Sequence, residues 1–110
     1  MLFRSCVFDG ETELAGLDAG AYADFGDFRE AVLQLERGRW GNRFPTLMNH
    51  PDADGQWEVQ DLAALRAELG TLANESVLDR FRDGEGQPLA AALLALCSLA
   101  LTVRRPILFQ

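Results

Sequence analysis

The side chains that could do chemistry in this 110-residue chain are few and scattered. His50 is the only histidine and sits beside Pro51 in a turn-rich stretch. An imidazole there is ordinarily a surface group rather than an acid–base catalyst. Ser5, Ser76 and Ser98 lack the G-x-S-x-G surroundings that present a nucleophile. Cys6 and Cys97 lie far apart in apolar runs and read as buried free thiols, not as metal ligands. Asp52, Asp54 and Gly55 supply part of a calcium loop without its remaining ligand positions. No phosphate loop, dinucleotide fingerprint or H-E-x-x-H occurs. The reading is a non-enzymatic chain with no cofactor and no metal.

Two groups of residues are better suited to binding. The first is Arg39 to Asn49, RWGNRFPTLMN, where Trp40 and Arg43 are of the types most enriched at interface hot spots. Trp40, Gly41, Phe44 and Pro45 are expected to hold the fold, and Arg43 to contribute to a contact at its edge. The second is an acidic set, Asp24, Asp27 and Glu30, extended by Glu11, Glu13 and Asp18. These are the candidate partner-binding carboxylates.

The elements that must position them follow from periodicity. Leu2 to Phe8 carries apolar groups on both faces and ends at Asp9-Gly10, which predicts a largely buried strand. A short second strand is expected around Glu13 to Leu17. Phe25, Phe28, Val32 and Leu35 share one face of a helix with Asp24 at its N-cap and Arg37-Gly38 at its end. Pro45 opens a short helix, and Pro51 closes it. Trp57 to Leu72 reads as a second amphipathic helix with Val59, Leu62, Leu65, Leu69 and Leu72 as its stripe and Gly70 near its stop. Asn74 would cap a brief helix over 75–82 that turns Val77, Leu78 and Phe81 inward. Pro88 to Val103 contains no charged residue, predicting a core helix too short to span a bilayer. Pro106 to Gln110 is β-prone and a partner for the first strand. The expected architecture is α+β, one helix-dominated domain over residues 1–110 with a small sheet pairing the N- and C-terminal strands.

Charge is uneven. The chain carries 10 Arg, no Lys and 17 acids, for a net −7. Residues 1–36 hold eight acids and two Arg, while 37–50 hold three Arg and no acid, a basic island. Residues 51–85 hold nine acids and three Arg. Such acidity argues against a nucleic-acid partner and suits a basic protein met through electrostatic steering. The N-terminus has no signal-peptide pattern, and the cytoplasm is the expected compartment.

The segment W-G-N-R-F-P-x-L-M-N (Trp40–Asn49), preceded by a helix with paired Phe and followed by D-L-x-x-L-x-x-E-L (Asp61–Leu69), resembles the immunity protein 70 family of bacterial polymorphic toxin systems. Asn42 stands where the family signature has Ser. After Asn49, His50-Pro51-Asp52 replaces an aromatic-containing helix extension. Gly86 to Leu89 and the closing P-I-L-F-Q also look familial, so the resemblance spans roughly 25–110. It implies a cytoplasmic inhibitor that binds a cognate toxin domain, with neither cofactor nor catalysis. The alternative is a non-catalytic scaffold subunit whose partner is not a toxin.

Overall fold

The structure is a computed structural model that describes residues 2–35, 45–48 and 55–109. β1 (Leu2–Asp9) and β2 (Thr12–Ala21) form an antiparallel hairpin, β2 runs straight into α1 (Tyr22–Leu35), and α2 (Pro45–Met48) is a single turn. β3 (Gly55–Trp57), α3 (Leu62–Leu72), α4 (Leu89–Val103) and β4 (Ile107–Phe109) complete the order. The sheet is antiparallel throughout, in the order β2-β1-β4-β3. The expected pairing of terminal strands is present, with Ser5 opposite Phe109 and Cys6 opposite Leu108.

Local chemistry explains the elements. Gly10 holds φ +62 in the turn after Asp9, a conformation that costs glycine little. β1 is covered on both faces: Ser5, Cys6 and Val7, which point alternately, are all buried. α4 packs on the sheet and on α3 through Leu89, Leu93, Leu96, Cys97 and Ala100. Its charge-free sequence is not buried all round, because Ala91 and Ala95 face out. Arg104, at φ 56, ends the helix, and the Arg105 amide donates to the Ala100 carbonyl. The core joins Val7, Leu17, Phe28, Val32 and Leu47 to the leucines of α3 and α4.

Several expectations need correction. Trp57 is the last residue of β3, paired with Ile107, and only a 3-10 turn (Val59–Asp61) separates it from a helix that begins at Leu62. Strand pairing with β4 overrides the helical stripe there. β2 is twice the length expected, because β1 supplies ladder partners as far as Ala21. That leaves no residue for an N-cap at Asp24, which lies inside the first turn of α1. Gly70 does not stop α3, which continues to Leu72. Asn74 donates from Nδ2 to the Gly70 carbonyl and so closes α3 instead of opening the next element. That next element is a 3-10 turn, Ser76–Leu78, in which Leu78 is buried and Val77 is exposed. The expected end of α1 at Arg37-Gly38 and the stop at Pro51 lie outside the described residues.

Candidate functional site

α1 presents Asp27 and Glu30 to solvent, one turn apart, on the side opposite buried Phe28 and Val32. Glu30 accepts a hydrogen bond of 3.1 Å from Gln34 Nε2, an i,i+4 contact that holds the carboxylate against the helix. Across from them lies the turn after Leu78. Phe81 meets Phe28 edge-to-face, with ring centroids 5.7 Å apart and planes at 77°. The Arg80 guanidinium carbon sits 4.7 Å over the Phe81 ring. Core residue, half-buried ring and exposed cation thus form one stack.

Between helix and turn runs a groove of about 450 Å³ lined by Asp27, Glu30, Ala31, Gln34, Arg80 and Phe81. Its described lining has an acidic wall, an apolar floor and Arg80 opposite. Such a surface can take a basic side chain against the carboxylates while apolar atoms cover Phe81. Arg80 and Phe81 escaped sequence reasoning as a unit. Phe81 carried an inward signal, but its contact with Phe28 joins residues 53 positions apart.

A second constellation surrounds α2. Pro45 opens the helix as expected, its missing N–H coinciding with an unpaired position. The next two amides donate to one carboxylate: Thr46 N to Glu68 Oε2 at 3.2 Å and Leu47 N to Glu68 Oε1 at 3.0 Å. Glu68 is 8% exposed, on the inner face of α3. Trp57 Nε1 donates to the Thr46 carbonyl at 3.2 Å. A buried carboxylate and an indole therefore hold the P-T-L-M turn, with Leu47 fully buried beneath it. The signal was present in D-L-x-x-L-x-x-E-L: Glu68 is three residues from Leu65 and four from Leu72, on the apolar stripe. A carboxylate placed there requires donors.

The remaining candidates are dispersed. Glu11 is exposed in the β1–β2 turn, Glu13 is exposed on β2, and Asp18 is a residue of the same strand. Trp40, Gly41, Arg43, Phe44 and His50 lie outside the described residues. Cys6 and Cys97 are both buried. Cys97 Sγ donates to the Leu62 carbonyl at 3.2 Å, and burial pushes its pKa up to about 11, against a smaller lowering by Arg66. Among the described residues no helix is long and apolar enough to cross a membrane.

The sequence model of the immunity protein 70 family matches residues 3–77. The chain belongs to that family. The match takes in the β1–β2 hairpin, which the sequence resemblance did not cover. It ends at Val77, so Gly86 to Leu89 and the closing P-I-L-F-Q lie beyond it. Comparison with curated proteins and with solved structures finds no match. As an immunity protein 70 member, the chain has within its matched region both the acidic face of α1 and the Glu68–α2 constellation, while Arg80 and Phe81 fall just past it.

Proposed function

We propose that this immunity protein binds a cognate toxin domain of a bacterial polymorphic toxin system in the cytoplasm and neutralises it by direct, non-catalytic contact. The observation that carries the reading is family membership over residues 3–77. The docking surface is the acidic face of α1, with Asp24, Asp27 and Glu30 receiving basic groups of the toxin and Arg43 contributing at the edge. The exposure of Asp27 and Glu30 beside the Phe81 floor supports it, since carboxylates rimming an apolar patch give steering and contact area together. The Glu68-held turn keeps the P-T-L-M segment in place and is structural. Reversal of Asp27 and Glu30 to Arg tests the surface. Affinity for the toxin domain should fall at least tenfold with the unfolding midpoint unchanged; equal affinity would remove α1 from the interface.

A further inference from the structure

β2 is an edge of the sheet: β1 occupies one side, and among the described residues no strand lies along the other. At ten residues it is the longest strand among the described residues. A free edge of that length invites pairing with another chain unless the fold blunts it. Here two register shifts do part of that. Val7 faces Ala15 but Phe8 faces Glu13, which leaves Leu14 as an extra residue, 42% exposed. A second shift falls between Asp18 and Ala21. The regular part of the edge is therefore Ala15 to Asp18.

That run borders a groove. A cleft of about 320 Å³ separates β2 from the outward side of α4, lined by Ala15, Leu17, Ala91, Ala95 and Leu99 and ended by Asp83. Ala91 and Ala95 are exposed, on a helix without a single charge. The Asp83 carboxylate is already anchored, accepting from the amides of Glu85 at 3.0 Å and Gln87 at 2.8 Å. Among the described residues it is the one charged residue of the lining.

We propose that an extended segment of the toxin adds to the sheet along Ala15–Asp18 and sets alternate side chains into the α4 groove. This rests on the immunity reading above. Backbone hydrogen bonds supply affinity in such strand addition, and the pockets beneath supply selectivity. The alanine-lined cleft takes apolar side chains. Asp83, with a hairpin-and-helix segment carrying seven acids against two Arg over residues 2–35, calls for basic residues flanking them. A second copy of this chain is the poorer occupant, since each copy brings a net charge of −7 and a bulged edge.

The experiment is amide hydrogen exchange on the full chain, free and with the purified toxin domain, together with affinity measured for Ala95→Arg and for Gln60→Arg. The latter makes the same charge change on an exposed residue that is not among those lining the groove. The proposal expects amides of 15–18 to exchange at least tenfold more slowly in the complex. It also expects Ala95→Arg to bind at least tenfold more weakly with an unchanged unfolding midpoint, while Gln60→Arg binds as wild type. A complex that leaves the exchange of 15–18 unaltered, or an Ala95→Arg chain that binds fully, overturns the strand-addition proposal while leaving the immunity reading standing. Protection of the same amides in concentrated toxin-free protein overturns it in favour of self-association. Failure of the wild-type chain to bind at all removes the immunity reading and the proposal together.

Discussion

Glu68 is the residue on which the P-T-L-M turn depends. An isolated one-turn helix has no stability of its own, because nucleation fixes several dihedrals for a single hydrogen bond. Here a buried carboxylate takes both amides that Pro45 leaves open to capture. Charge-assisted bonds of this kind contribute more than neutral ones. Glu68→Ala should destabilise the protein by about 3 kcal/mol in urea unfolding, since two amides lose a charged acceptor. Glu68→Gln, which keeps the shape and one carbonyl oxygen, should cost less than that; equal losses in the two variants would mean that the charged carboxylate, and neither the packing nor the one retained acceptor, sets the value. Cys97 makes a separate prediction. Its thiol is held neutral to about pH 11 against an ordinary 9.0, so between those values the unfolded chain ionises while the native chain does not. Stability is then fully present below pH 9 and falls as pH rises toward 11, by about 2 kcal/mol for a shift of this size. In Cys97→Ala that part of the slope should vanish, as read by thermal unfolding at pH 8, 9, 10 and 11.

At the scale of elements, the sequence discloses what rests on local pattern and hides what rests on distant pairing. The first strand, α1 and α4 were legible because each carries its own signal: apolar groups on both faces, a Phe-Val-Leu stripe, and a charge-free run bounded by Pro88 and Arg104-Arg105. Trp57 reads as helical because it precedes the α3 stripe, yet its backbone pairs with Ile107, fifty positions later. No window around Trp57 contains that partner. Asp24 misleads for a related reason: an acidic residue ahead of a stripe resembles an N-cap, but the hairpin ladder reaches Ala21 and α1 begins at Tyr22. The acidic face of α1 was visible from spacing alone, whereas the Arg80–Phe81 stack beside it required α1 and the Ser76–Leu78 turn to be brought together. The prediction belonging here is that the Asp27→Arg, Glu30→Arg double variant keeps the helical circular dichroism of the wild type. Both side chains are exposed, and surface substitutions of this kind change stability by only about 0.5 kcal/mol.

For the whole molecule, charge is the property that reaches furthest. A net −7 on a chain of this size sets up a field that draws in a cationic partner before any contact forms. Association with the toxin domain should therefore slow about tenfold between 0.05 and 0.5 M salt, as the Debye length shrinks from roughly 14 Å to 4 Å. Stopped-flow binding checks this, and the Asp27→Arg, Glu30→Arg chain should show a flatter salt dependence. A salt-independent rate would assign the acids to keeping the protein dispersed, not to recognition. The most direct test of the central claim is to co-express this chain with the candidate toxin domain proposed as its partner and to titrate the two purified proteins by calorimetry. The account predicts restored growth together with a saturable complex. Restored growth with no detectable complex at micromolar concentrations would contradict neutralisation by direct binding.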